Sequence, residues 1–317
     1  MTILFRDPRF QKHLTGRHPE SPTRLAAIDR RLDERGLIAR CQQSAIRQAT
    51  REEIVRLHGG DYFDQLSNFA RNGGGRIEAD TVVCPDSFDV ANHAAGTALA
   101  AVDAVLTGAD RNALCLVRPP GHHALPDRAM GFCLFNNIAL AAEHALRTHD
   151  LERVLIVDWD VHHGNGTQDV FYRREDVTFF SAHRFPFYPG SGRDDETGTG
   201  RGLGYTFNLP IAFGASRREY LVRFEQMLRD AATKCRPQLV LISAGFDAHR
   251  LDPIGSLGLE TEDFRTLTVM LQGIADEYCG GRLVSLLEGG YDVEALADSV
   301  AIHLETLLEA GKPLSAD

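Results

Sequence analysis

The sequence predicts an α/β fold, a mostly parallel sheet with helices on both faces. Three observations predict it. Apolar runs such as Val154-Leu155-Ile156-Val157 are too continuous for one-sided strands and read as strands buried on both faces. These runs alternate with stretches of helical period. Neither a repeat nor a low-complexity linker interrupts them, so residues 1–317 read as one domain.

The elements follow in order. Residues 1–20 read as a loop rich in Pro, Gly and charge, and Ser21-Pro22-Thr23-Arg24 opens a helix carrying Leu25, Ile28 and Leu32. "TREEIVRLHGGDYFDQL" reads as two short helices, with Thr50 as cap and Glu53 three residues on. "RNGGGRI" is a turn, and Asn92–Leu106 an Ala-rich buried helix. "ALCLVRPP" is a strand stopped by two prolines, and "FNNIALAAEHALRT" a helix. "RVLIVDWD" is a strand, "GTQDVFYRR" begins a short helix, and "VTFFSAHR" is a strand. "REYLVRFEQMLRDAATKC" is a helix with Leu221, Phe224, Met227 and Leu228 on one face. "PQLVLISAGFD" is a strand, "TEDFRTLTVMLQGIADEY" a helix and "RLVSLLEGGYD" a strand. "VEALADSVAIHLETLLEAG" is a last helix stopped by Gly311.

The balance of charge narrows the partners. A net charge of -10 argues against a general nucleic-acid binder and suits steering of a cationic substrate. None of the six cysteines forms a CxxC pair, so reduced thiols are expected. The start, MTILFRDPRF, lacks the pattern of a signal peptide, and no apolar run is long enough to span a bilayer. A cytoplasmic protein without a membrane partner is expected.

The strand ends carry the chemistry. Ligands of such folds bind at the carboxyl ends of the strands. There the chain places Arg118 to His123; Asp158, Asp160, His162, His163 and Asn165; Ser181 to His183; Asp247 to His249; and Tyr291. In an extended segment Asp158, Asp160 and His162 share one face. Asp160, His162 and Asp247 form a set of one imidazole and two carboxylates that leaves room for water, as catalytic rather than structural zinc sites do. Nearby histidines can move a proton, and a tyrosine on a Gly-Gly turn can donate to an oxyanion. Taken singly, each piece has a plainer reading: Asp158 as a helix cap, Tyr291 as a packed ring, Cys133 as a small buried apolar residue, His183 and His249 as loop histidines. Their coincidence at successive strand ends favours the functional reading.

"RPPGHHA" (118–124), "GFCLFNN" (131–137), "VDWDVHHGNGTQ" (157–168), "SAGFDAH" (243–249) and "LEGGY" (287–291) resemble the signature blocks of histone deacetylases, in the family's order. The likeness starts at "HPESPTRL" and runs over nearly the whole chain. The paired prolines of "RPPGHH" and the Asn of "HHGNG" resemble class II enzymes and their bacterial relatives: histone deacetylase-like amidohydrolases, acetylpolyamine amidohydrolases and acetoin-utilisation-type proteins.

The resemblance implies an arginase/deacetylase fold with a central sheet of about eight strands, and a zinc-dependent hydrolase cleaving an amide. One zinc per chain would sit on Asp160, His162 and Asp247. His123 would be the general base and His122 its electrostatic partner, oriented by Asp158; Asn165 would orient His123, and Tyr291 would polarise the acetyl carbonyl. Gly131, Phe132 and Tyr188 would line an acyl-lysine tunnel, and Asp80 would hold the substrate backbone at the rim. The second aromatic is more often Phe, so the Tyr188 hydroxyl is a departure. Asp158, Asp160, His162, Ser181 and Ala182 would supply an inner potassium site, and Phe171, Arg174, Val177 and Tyr205 an outer one. Hydroxamate-type chelators are expected inhibitors.

Polyamine-selective relatives can carry a glutamate in the "DPxG" loop, where this chain has Ile254. That favours acyl-lysine in a peptide or protein, with a small acetylated amine as the alternative, for which Asp194, Asp195 and Glu196 are the acids expected near the mouth. A two-manganese ureohydrolase would want a further Asp cluster, and "SAGFDAH" offers one Asp. A non-catalytic acyl-lysine reader would have lost His123 or Tyr291, and both are present. Oligomeric state is left open.

Overall fold

The computed structural model describes residues 1–309. Its centre is an eight-stranded sheet in the order β2-β1-β5-β10-β9-β6-β7-β8. The strands are β1 (Thr2–Phe5), β2 (Gln42–Ser44), β5 (Asn112–Cys115), β6 (Val154–Asp158), β7 (Val177–Arg184), β8 (Thr206–Ile211), β9 (Leu239–Ala244) and β10 (Leu283–Leu287); β3 (Gly75–Arg76) and β4 (Val82–Val83) form a separate antiparallel pair. Every pairing in the large sheet is parallel.

The helices are α1 (Thr23–Glu34), α2 (Arg51–Ile54), α3 (Gly60–Arg71), α4 (Ser87–Leu106), α5 (Asn137–Thr148), α6 (Asn165–Phe171), α7 (Arg217–Cys235), α8 (Thr261–Cys279) and α9 (Val293–Glu309). One layer runs α3-α4-α5-α6 and the other α1-α9-α8-α7, each packed on the sheet. Covered on both sides, the central strands β5, β6, β9 and β10 are buried along their whole length, which is why they read as unbroken apolar runs.

The strand order builds the site. The chain lays down β5, crosses to β6 and moves outward through β7 and β8. It then returns to fill the gap with β9 and β10. Residues far apart in sequence are thereby level: Asp158 lies beside Ser243, and Leu286 beside both Ser243 and Cys115. The four loops leaving these strands open on one crevice, the usual ligand position in such sheets.

Several boundaries depart from the sequence reading. Strand β1 sits in the stretch read as a loop, and β2 and β8 were not anticipated; β1 and β2 have only four and three residues, too few to show a period. Helix α4 begins at Ser87, five residues before the expected start at Asn92. Pro22 stands at the N-cap of α1 rather than inside it. The buried face of α7 is Tyr220, Phe224, Leu228 and Ala231, while Leu221 and Met227 lie at its margin. The Thr50–Glu53 capping box is present on α2. The stop expected at Gly311 lies outside the described residues.

Candidate active site

Strand β6 ends at Asp158, and its carboxylate turns the chain. Asp158 Oδ1 accepts the N–H of Asp160 at 3.1 Å, so the backbone leaves extended geometry there. This corrects the expectation that Asp158, Asp160 and His162 share one face. Asp158 Oδ2 points instead to His122 Nδ1, 2.9 Å away, while Asp160 and His162 face Asp247 from the end of β9.

Asp160, His162 and Asp247 bring one ligand atom each within 4.8 Å of the others. His162 Nδ1 lies 3.0 Å from Asp160 Oδ1 and 3.0 Å from Asp247 Oδ2. The outer oxygens are tied to backbone: Asp247 Oδ1 accepts from Val161 N and Asp160 Oδ2 from Gly289 N, both at 2.8 Å. Asp247 Oδ2 is buried with no hydrogen bond. Among the described residues the two carboxylates pair only with histidines. Two carboxylates buried against each other cost several kcal/mol in desolvation and mutual repulsion, and a cation between them offsets that cost. Gly289 leaves the space: a Cβ there would sit 2.4 Å from Asp247 Oδ2 and 2.5 Å from Asp160 Oδ2. The trio therefore fits a divalent ion.

Two imidazoles stand beside it, their ring centres 4.0 Å apart. Burial works against charge on His122, but the Asp158 and Asp160 carboxylates outweigh it and hold that ring protonated. Burial and the neighbouring His122 hold His123 well below the ordinary imidazole value. His123 Nδ1 lies 2.6 Å from Asn165 Oδ1, and Asn165 Nδ2 is turned to Met130 Sδ at 3.5 Å. An amide oxygen only accepts, so the proton of neutral His123 sits on Nδ1 and its Nε2 keeps a lone pair. The backbone leading into the pair is fixed by Glu288, whose carboxylate accepts from Gly121 N and His122 N at 2.7 and 3.2 Å. The sequence reading missed Glu288, which it quoted within "LEGGY" only for the tyrosine.

A cavity of about 130 Å³ leads to these groups, lined by Asp80, His123, Gly131, Phe132, His162, Phe187, Tyr188, Ile254 and Tyr291. The anticipated wall residues meet there, including Asp80. Gly131 has φ +56°, and a Cβ on it would come within 2.4 Å of the His123 ring, so only glycine lets the wall lie this close. Phe132 follows at φ +70°, and Thr81 Oγ1 accepts its N–H at 3.0 Å. Tyr291 meets Phe132 edge-on at 5.7 Å; burial pushes its phenol well above the usual value, so it remains a donor.

Phe187 was missed beside Tyr188. It stacks on His162 at 5.2 Å and is backed by Arg184, whose guanidinium lies 4.2 Å from the Phe187 ring and 4.3 Å from Phe213. Arg184 also donates to the Gly255 carbonyl at 2.8 Å, next to Ile254. Of the acids expected near the mouth, Glu196 accepts from Gln168 and Gly192 N, and Asp195 pairs with Arg193. Cys133 is fully buried, and His183 is buried with Nε2 on the Gly192 carbonyl.

Of the residues expected to hold monovalent ions, Val177, Ser181 and Ala182 lie in β7. Ser181 is level with Asp158, and Ala182 follows it. Val177 starts the strand and Tyr205 precedes β8. The carbonyls of Phe171 and Tyr205 accept one backbone N–H each, leaving a second lone pair.

Comparison with known proteins agrees with this geometry. The histone deacetylase domain profile matches residues 18–307. The chain is 42% identical over 277 residues to a histone deacetylase-like amidohydrolase of Pseudomonas aeruginosa, covering 86% of this chain and 72% of that protein. It is 43% identical over 310 residues to the human polyamine deacetylase HDAC10, covering 93% of this chain and 46% of that protein. Histone deacetylase 14 of Arabidopsis thaliana is 39% identical over 313 residues, covering 92% and 73%. The crystal structure of the HDA15 HD domain superposes with a TM-score of 0.91 at 36% identity, covering 97% of this chain and 91% of that one. No helix among the described residues is long and apolar enough to cross a membrane.

Proposed function

The chain belongs to the histone deacetylase family, a deacetylase hydrolase by its matches, and from that premise we propose that it removes acetyl or other acyl groups from lysine side chains using one zinc ion. The supporting observation is that His123, His162 and Tyr291 line one cavity, with Asp160 and Asp247 grouped on His162 and His122 packed against His123. We also take residues 1–317 as one catalytic domain.

Asp160, His162 and Asp247 would hold the zinc, which when bound supplies Lewis acidity that polarises an amide carbonyl and makes water a usable nucleophile. The protein groups do the rest. His123, neutral with its Nε2 lone pair free, takes the proton of the attacking water and returns it to the departing amine. His122, kept charged by Asp158, stabilises negative charge that develops beside it. The Tyr291 hydroxyl donates to the carbonyl oxygen as that oxygen gains charge. Asn165 sets the tautomer of His123. Potassium on the Asp158, Asp160, His162, Ser181 and Ala182 oxygens, and on those of Phe171, Arg174, Val177 and Tyr205, belongs to the same proposal.

The cavity favours acyl-lysine. Phe132, Phe187 and Tyr188 form an aromatic sleeve suited to an aliphatic stem, and Ile254 puts an alkyl group where a cation-selective pocket needs a carboxylate. The reading as an acetylpolyamine deacetylase is supported by Asp80 in the cavity wall and by the relative named for that activity. Side-by-side rates on a fluorogenic acetyl-lysine peptide and on acetylated polyamines decide between them. Chelator should abolish both. Tyr291→Phe should lower kcat by about a hundredfold with KM little changed; unchanged turnover would remove Tyr291 from this role.

A further inference from the structure

Away from the cavity, at the C-terminal end of α5, two imidazoles converge on one carboxylate oxygen. His144 Nε2 lies 2.6 Å and His149 Nε2 2.7 Å from the same Oδ1 of Asp103. His144 lies in the last turns of α5, His149 caps that helix, and Asp103 projects from α4. We infer that Asp103, His144 and His149 form a second metal site, suited to a late first-row divalent ion such as zinc, nickel or copper.

Among the described residues, two groups of three His, Cys, Asp or Glu side chains bring their ligand atoms within 4.8 Å of one another: the catalytic trio and this one. Two imidazoles and a carboxylate select late transition metals over calcium or magnesium, which want oxygen. The second ring nitrogen of His144 is provided for. Its Nδ1 lies 3.2 Å from Thr148 Oγ1, and a hydroxyl accepts as readily as it donates. When Nε2 gives its lone pair to a metal, the ring proton moves to Nδ1 and finds an acceptor there, as outer partners of ligating histidines do.

The local charge also fits. Arg47 approaches Asp103 Oδ2 at 4.0 Å, but Glu53 holds it by two bonds of 2.8 and 2.9 Å. Asp103, Glu53 and Arg47 together carry one net negative charge, so a dication is attracted despite the guanidinium. The Asp103 side chain is 40% exposed and that of His149 19%, which gives an ion a way in and leaves positions for water. Bonds of about 2.0 Å at a tetrahedral ion put ligand atoms about 3.3 Å apart. From 2.6 and 2.7 Å the ligand atoms must therefore spread by about 0.6 to 0.7 Å, which rotation of the exposed carboxylate supplies. Metal here would clip α4 to α5 and does not depend on the proposed catalysis.

The test is metal content. Protein equilibrated with micromolar zinc and freed of unbound ion by gel filtration should carry one zinc more per chain than His149→Ala or Asp103→Asn, by elemental analysis. Copper(II) added to the zinc-loaded protein should show hyperfine splitting from two imidazole nitrogens, reduced to one in His149→Ala. Circular dichroism confirms that each variant is folded, and the two variants serve as checks on each other. Equal zinc in the wild type and both folded variants, or a copper spectrum indifferent to His149→Ala, overturns the site.

Discussion

Asp252 and Tyr291 are joined through the backbone: the Tyr291 N–H donates to Asp252 Oδ2 at 2.7 Å. The other oxygen of the same carboxylate accepts from Ile254 N and Gly255 N, each at 2.9 Å. One side chain thus sets both the proposed oxyanion donor and the residue proposed to govern substrate choice. Removing it should displace both loops. Asp252→Ala is expected to lower kcat/KM by about a hundredfold, the usual cost of misplacing a reacting group by an ångström. In a Tyr291→Phe background the same change should cost much less, because the hydroxyl it positions is gone. Additive losses would show that Asp252 acts elsewhere.

Gly289 is where the metal reading is most exposed to test. Its missing Cβ is the space between Asp247 Oδ2 and Asp160 Oδ2, and its N–H bonds the latter. Gly289→Ala should lose the proposed zinc, by elemental analysis, and its activity together. A variant that keeps a full complement of metal would show that the ion does not sit there.

Ile254 lines the cavity with a side chain that repels a distant ammonium by leaving it unsolvated. Ile254→Glu should raise the rate on acetylated polyamines relative to an acetyl-lysine peptide by about tenfold or more, since a close ion pair at a partly buried site is worth a kcal/mol or two. No change in that ratio would move the determinant to another wall residue, Asp80 first.

Acid should unfold the protein earlier than its net charge suggests. Burial opposes the charge of Glu20, but Arg118 overrides it and holds the carboxyl at about 2, against 4.5 in the free side chain. That stability is whole above about pH 4.5 and is lost as pH falls toward 2. His58 is buried with Nε2 accepting from Asn136 N at 2.9 Å and Nδ1 on the Leu125 carbonyl at 3.0 Å, so only its neutral form fits. Burial lowers it to about 4 from 6.5, and the unfolded chain takes up the proton first, so stability falls from pH 6.5 down to 4. Both effects act in one direction. Urea midpoints should therefore drop steadily below pH 6.5. Glu20→Gln should cost about 3 kcal/mol or more at pH 7 by leaving Arg118 without its counter-charge, and should flatten the profile below pH 4.5.

Much of this was legible in the order of residues. The apolar runs of β6, β7, β9 and β10 announced strands because both their faces are covered, and polar groups after those runs marked the crevice. Shorter elements were hidden: β1 and β2 owe their existence to pairing beside β5 rather than to any period of their own. Phe187, Asp252, Glu288 and Arg184 were also hidden, since an aromatic, two acids and an arginine near turns have nothing in their spacing to distinguish them.

By itself the sequence determined which chemical groups stand at the strand ends, because burial on both faces leaves only the ends for ionisable side chains. Their partnerships belong to the tertiary structure. Asp158 serves His122 while Asp160 joins Asp247, although the first two aspartates are two positions apart and the second two are 87 positions apart. The physical reason is the order in which the sheet is filled. With β9 and β10 inserted between β6 and β5, the parallel register brings four distant loops level, and carboxylate bonds to backbone N–H groups then fix where each oxygen points.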